Sequence, residues 1–353
     1  MIVSYENMAY NEALTIGSTA LRPPRRMIQR QDDGMYERFF FLNEKPFHIT
    51  PDPRFLYLSK KHRVAIELLS FGIRERKGFI LLSGEVGTGK TTLCRAILGK
   101  LPRGTESALI LNPVLSGIDL LKTITADFGI KAIEDTPKGH IDGLNSFLLK
   151  LASSGGNAVV IIDEAQNLSP AALEMVRLLS NLETEKEKLL QIILVGQPEL
   201  RTKLAMTGLR QLNQRIIIRH HLEPLDLEET REYIENRLAV AGGSASVEFT
   251  KDALKSIYSG AGGIPRMINI LCDRALTAAF IEGKRVIDSK VLGKALRELT
   301  EEGYIGQPNA GAMRAELNQY TPYIVMSSFV IALVAGILWG PVLLRFAAGY
   351  LSV

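Results

Sequence analysis

The chain has 353 residues, 46% of them hydrophobic, with 42 basic and 38 acidic side chains, a formal charge of +4 and two cysteines. That length carries one larger and one smaller domain, each with its own core, while Cys94 and Cys272 alone exclude a disulfide framework or a cysteine-built zinc site. The charge is too mild and too evenly interleaved to demand a nucleic-acid partner.

Residues 1–35 read as a flexible basic extension whose one dense patch, Arg22-Pro23-Pro24-Arg25-Arg26, is a solvated tail rather than a nucleic-acid or acidic-lipid contact. Met35 offers an alternative initiation site. An aromatic and proline-rich lead-in follows, from Glu37-Arg38-Phe39-Phe40-Phe41-Leu42 to Tyr57-Leu58-Ser59. The spacing then predicts a helix over Lys60–Ile73 that buries Val64, Ile66, Leu68, Leu69 and Ile73. Strand signals at Phe79–Ser83, Ala108–Leu111, Ala158–Ile162, Gln191–Val195 and Ile216–His220 alternate with helical segments at Lys90–Leu98, Gly117–Phe128, Asp142–Leu151 and Pro170–Leu179. That rhythm predicts an α/β domain, residues 36–222, with a parallel sheet covered by helices on both faces. From Leu225 the strands stop, and residues 223–300 read as an all-helical lid, followed by a polar linker over 301–321.

Tyr323–Leu344 is almost continuously apolar, and between Glu316 and Arg345 no Asp, Glu, Lys or Arg occurs. At 1.5 Å per residue this run reaches roughly 33 Å, enough to cross a bilayer core. Tyr320, Tyr323 and Trp339 stand near its ends, where amphipathic rings favour the interface. Residues 322–345 are therefore expected to form one transmembrane helix, with 346–353 as a short tail. No signal peptide opens the chain, so the body is expected in the cytoplasm.

Gly84-Glu85-Val86-Gly87-Thr88-Gly89-Lys90-Thr91, followed by Thr92, has the form G-x-x-x-x-G-K-T between a strand and a helix. Its glycines let backbone N–H groups curl around a polyphosphate, Lys90 neutralises the β- and γ-phosphates, and Thr91 can ligate Mg²⁺. Farther on, the Ala158–Ile162 strand ends in Asp163-Glu164. Beside a phosphate loop this pair predicts Asp163 holding Mg²⁺ and Glu164 polarising the attacking water. Asn112 follows the second strand, where it either hydrogen-bonds Glu164 and restrains it or simply forms an Asn-Pro turn. Gln197, after the fourth strand, is expected beside the γ-phosphate, with Gln166 and Asn167 near the site.

Arg210 and Arg215 precede the last strand. In ring-forming ATPases an arginine here reaches into a neighbour's site. Arg215 is the favoured candidate, with a surface salt bridge as the competing role for either residue. Gly263-Ile264-Pro265-Arg266 opens a lid helix with a cation in its first turn, unfavourable without an opposing anion, which points Arg266 at ATP.

These elements together resemble the AAA+ superfamily. More narrowly, Pro46-Phe47-His48-Ile49-Thr50-Pro51-Asp52-Pro53-Arg54-Phe55-Leu56-Tyr57-Leu58-Ser59, the phosphate loop and Val195-Gly196-Gln197-Pro198-Glu199-Leu200 look like the ExeA (general secretion pathway protein A) ATPases, over about Tyr36 to Thr300. The resemblance implies a ring-like homo-oligomer in the bacterial inner membrane that hydrolyses ATP with Mg²⁺. It further implies help in assembling a secretion or pilus-like envelope machine, often with an ExeB-type partner. ExeA proteins commonly carry a periplasmic peptidoglycan-binding domain after the membrane helix, and no such domain follows Leu344 in this sequence. Two rival readings stay open: a DNA-acting AAA+ protein of the transposition or replication-initiator type, and an ATP-gated scaffold with little hydrolysis.

Overall fold

The computed structural model describes residues 35–50, 52–111, 113–131, 134–185, 187–243 and 246–304. The basic extension, Asn112, most of the expected linker, the apolar run Tyr323–Leu344 and the tail lie outside the described residues. Among the described residues no helix is long and apolar enough to cross a membrane.

Helix α1 (Met35–Phe39) and a 3₁₀ turn at Pro53–Phe55 lead to α2 (Lys60–Arg74). The α/β layer then runs β1 (Phe79–Gly84), α3 (Lys90–Leu98), β2 (Thr105–Ile110), α4 (Gly117–Asp127), α5 (Pro137–Ser153), β3 (Asn157–Ile162), α6 (Pro170–Leu179), β4 (Leu190–Gly196), α7 (Glu199–Leu204), α8 (Arg210–Arg215) and β5 (Ile216–Leu222). The lid comprises α9 (Leu227–Val240), β6 (Glu248–Phe249), α10 (Lys251–Ala261), α11 (Pro265–Ile281), β7 (Val286–Ile287) and α12 (Ser289–Glu301).

The five main strands are parallel in the order β2-β3-β4-β1-β5. Apolar residues alternate between two cores, as the two-residue strand period requires. Ala158, Val160 and Ile162 of β3 join Leu120, Leu144 and Leu173 from α4, α5 and α6 on one face. Val159 and Ile161 join Leu69 of α2 and Leu93 and Ile97 of α3 on the other. The doubly covered parallel sheet expected from the sequence is thus present.

Details differ for identifiable reasons. Strand β2 begins at Thr105, ahead of its apolar stretch, because it is an edge strand whose first residues stay largely exposed. Helix α5 begins at Pro137, where Thr136 accepts the backbone N–H of Gly139 and proline occupies the first turn. On α2 the buried stripe is His62, Ala65, Ile66, Leu69, Gly72 and Ile73, and the expected Val64 is 57% exposed. Gly72 belongs to that stripe because a Cβ there would lie 2.6 Å from Ile80 Cδ1.

Two larger expectations are corrected. The lid is not purely helical, since β6 and β7 form a parallel pair. Two residues per strand are too few to leave a period-2 pattern. The lead-in was assigned to the α/β domain, yet Tyr36, Phe40, Leu42, Phe47 and Phe55 are buried in one core with Ile234, Leu238, Ile268 and Leu271 of the lid. Arg237 of α9 fastens it there, donating to the carbonyls of Pro46 and His48 and lying 4.8 Å from the Phe55 ring centroid.

Candidate nucleotide site

Strand β1 ends in Gly84, and the chain turns through residues 85–89 into α3. Gly87 and Gly89 adopt φ of 84° and 95°, the left-handed region that glycine enters without a Cβ penalty. Thr88 is buried and its Oγ1 donates to the Glu85 carbonyl at 2.9 Å, tightening the turn. Lys90 folds back along the loop, its Nζ donating to the carbonyls of Gly84 and Glu85, each at 2.8 Å. Burial lowers the Lys90 pKa from its ordinary value, opposed by the charges of Glu164 and Asp163. A desolvated ammonium with carboxylates nearby is the charge arrangement a polyphosphate and a divalent cation complete.

Thr91, one residue on, donates its hydroxyl to Asp163 Oδ2 at 2.5 Å. Asp163 lies just beyond β3, is buried, and also accepts the backbone N–H of Glu164 at 2.9 Å. Glu164 sits at φ 50°, ψ 36°, a left-handed conformation uncommon outside glycine, which swings its carboxylate out of the strand direction. The carboxylate lines a cavity of about 500 Å³ together with residues 86–93 of the loop and helix. Both acids therefore stand where the sequence placed them.

Gln197, beyond β4, donates its side-chain amide to Glu164 Oε2 at 3.3 Å. Gln166 donates to the same oxygen at 2.5 Å. The expected partner Asn112 lies outside the described residues, and these two amides hold the Glu164 carboxylate.

The lid closes onto the loop through α11. Arg266 N–H donates to the Gly87 carbonyl at 3.3 Å, and its side chain lines the cavity beside Pro265 and Asn269. A Cβ on Gly87 would fall 2.7 Å from the Arg266 Cβ, so the contact requires glycine.

Arg215 and Arg210 lie elsewhere. Phe79 pairs with Ile216 and Gly84 with Leu222, which sets Arg215, the last residue of α8, just ahead of β5 and roughly 20 Å along the strand direction from the phosphate loop. Arg215 donates to Ser180 Oγ, and to Asn181 Oδ1 at 2.7 Å. Arg210 is exposed. Neither residue lines the cavity of its own chain's phosphate loop.

Sequence reasoning missed the far wall of the cavity. Ile49, Phe55, Leu56 and Tyr57 of the lead-in form it, facing Tyr233 and Asn269 of the lid. His62 was missed too: its Nε2 lies 3.0 Å from the Thr88 carbonyl and its Nδ1 2.9 Å from Ser59 Oγ. The available signal was Ser59 three residues before His62, an N-cap pattern at the start of α2.

Residues 73–204, spanning the phosphate loop, Asp163-Glu164 and the β4 terminus, match the family model described as an AAA domain. Across 254 residues the chain is 48% identical to general secretion pathway protein A of Aeromonas hydrophila. The chain carries an AAA domain at residues 73–204 and is related to general secretion pathway protein A. The resemblance read from its motifs is borne out. The alignment covers 72% of this chain and 46% of that relative. A second match, an uncharacterized HTH-type transcriptional regulator of Methanocaldococcus jannaschii, is 25% identical over 49% of this chain and 43% of that protein. The chain thus spans less than half the length of either curated relative. Among solved structures, the AAA domain and its lid resemble the Drosophila ORC bound to DNA (TM-score 0.56, 16% identity, 81% of this chain and 70% of that one). They also resemble the ORC2 protein of Aeropyrum pernix in ADPNP and ADP complexes (0.52, 16%, 72% and 71%). At such identities the likeness is one of fold.

Proposed function

We propose that this protein is an ATP-hydrolysing, membrane-tethered oligomer that works in assembling a bacterial secretion or pilus-like envelope apparatus. The observation that carries the hydrolytic reading is the convergence of three elements. Thr91 from the loop meets Asp163 from β3 at 2.5 Å, and Gln197 from β4 reaches the neighbouring Glu164. ATP is the substrate, its phosphates against Lys90 and the loop N–H groups, its base against the apolar wall of Ile49 and Tyr57. Thr91 and Asp163 are hard oxygen donors of the kind Mg²⁺ selects, and the bound ion would neutralise charge on the phosphate oxygens. Glu164 accepts a proton from the attacking water while Gln197 helps fix its direction, and Arg266 brings the lid onto the triphosphate. Arg215 of one copy stabilises the charge developing in the site of the next.

The membrane reading rests on Tyr323–Leu344, whose apolar length suits one crossing, with the AAA domain on the cytoplasmic, ATP-containing side of the bacterial inner membrane. The envelope role, and an ExeB-type partner, rest on the relationship to general secretion pathway protein A.

Full-length protein from solubilised membranes tests these points together. ATP turnover that Glu164→Gln removes, with ATP binding retained, supports the enzyme; tight binding with negligible turnover in both forms would establish the ATP-gated scaffold instead. Recovery in a carbonate-washed membrane fraction supports the tether. Salt-dependent DNA binding by a soluble pool would replace the envelope reading with the DNA-acting one.

A further inference from the structure

Gln166 occupies the 3₁₀ turn Ala165–Asn167, immediately after the left-handed Glu164. Its two amide ends are both engaged. Nε2 donates to Glu164 Oε2 at 2.5 Å, while Oε1 accepts the backbone N–H of Gln197 at 3.1 Å. The turn is fixed from a third side, because Lys203 of α7 donates to the Gln166 backbone carbonyl at 2.9 Å. Strand β4 makes room by ending in glycine: a Cβ on Gly196 would lie 2.7 Å from Gln166 Oε1.

A glutamate side chain with free torsions samples several rotamers, and a general base that wanders by an ångström loses much of its rate. The left-handed backbone sets where the Glu164 side chain starts, and its amide partners set where the carboxylate ends. Of those two partners Gln166 makes the shorter, charge-assisted bond, at 2.5 Å against 3.3 Å for Gln197. Engaging Oε2 leaves Oε1 for the water.

We infer that Gln166 is a positioning residue that aims the Glu164 carboxylate and ties its direction to the end of β4. This rests on the hydrolytic reading above, with Glu164 as the base.

The test compares full-length wild type, Glu164→Gln, Gln166→Met and the double variant. Gln166→Met keeps the side-chain length and removes both amide contacts. The expected result is a kcat lowered about 10- to 100-fold, with KM and the Kd for a fluorescent ATP analogue within about twofold of wild type. Adding Gln166→Met to Glu164→Gln should cause no further loss, because the two changes remove one function. Gln166→Glu, which keeps an acceptor for Gln197 but sets a like charge against Glu164, should be at least as impaired. An unchanged or raised kcat in Gln166→Met, beside a wild type whose turnover Glu164→Gln abolishes, overturns the inference alone. A further loss in the double variant, or weakened analogue binding, shows a merely structural role and also overturns it. Wild-type turnover that survives Glu164→Gln removes the hydrolytic reading and this inference together.

Discussion

His62 Nε2 lies 3.0 Å from the carbonyl oxygen of Thr88, so a helix that precedes β1 grips the phosphate loop at the wall of the nucleotide cavity. The ring is itself held, since Ser59 Oγ sits 2.9 Å from Nδ1 and caps the same helix. Neutral imidazole satisfies both contacts: Nε2–H donates to the carbonyl, and Nδ1 accepts the serine hydroxyl.

His62→Ala should therefore loosen the loop as well as the core. Loss of a buried hydrogen bond and creation of a cavity predict a destabilisation of about 2 kcal/mol, with KM for ATP rising several-fold. Urea unfolding and initial-rate kinetics check the two halves; an unshifted midpoint would show that the contact is idle.

The same residue predicts a pH dependence. Burial lowers the His62 pKa, against smaller opposing effects of the Thr88 carbonyl and Glu229. As pH falls through about 6.5, the unfolded chain takes up a proton at this position while the folded site does not, so folding stability declines. The stability gap between wild type and His62→Ala should be full at pH 8 and narrower at pH 5, read from urea midpoints at each pH. A gap that widens on acidification would reverse the assignment.

Gly87→Ala meets two obstacles at once. Its φ of 84° disfavours a Cβ by about 1–2 kcal/mol, and the added atom would sit 2.7 Å from Arg266 Cβ. The loop must deform or the lid must retreat. A fluorescent ATP analogue should bind at least tenfold more weakly, while the melting temperature falls only a few degrees.

Lys90→Ala should remove nucleotide binding or turnover, because no other side chain in the loop places a cation against the phosphates. Normal kinetics in this variant would refute the phosphate-loop assignment outright.

Arg215→Ala should spare ATP binding and cut turnover by about 10³-fold, in the assembled state alone. Mixing it with Glu164→Gln supplies the sharper readout. Two inactive forms should regain activity together, since some interfaces then unite an intact Arg215 with an intact Glu164. No recovery in a confirmed mixed oligomer would reduce Arg215 to its contacts with Ser180 and Asn181.

The fold was legible wherever one physical signal dominated. Buried parallel strands are apolar on both sides, so β1, β3 and β4 stand out, and Asp163-Glu164 is conspicuous because two acids end such a run. Glycine spacing announced the phosphate loop for a similar reason: the bound shape demands backbone conformations that other residues resist. Edge strand β2, the two-residue strands β6 and β7, and the start of α5 were blurred, since partial exposure, brevity and capping leave weaker traces than burial.

By itself, the sequence determined the chemistry on offer: a phosphate-binding turn, a lysine, a threonine, two acids, a polar residue after the fourth strand, and an apolar run long enough for a bilayer. Which groups meet was decided only in three dimensions. That Phe55 and Tyr57 wall the cavity alongside Tyr233 and Asn269, that His62 braces Thr88, and that Gln166 and Gln197 converge on one oxygen of Glu164 all depend on packing. Helix and strand periods record which face of an element is buried, but not which partner buries it. Contacts between residues far apart along the chain exist only once the sheet order and the lid's seat are set.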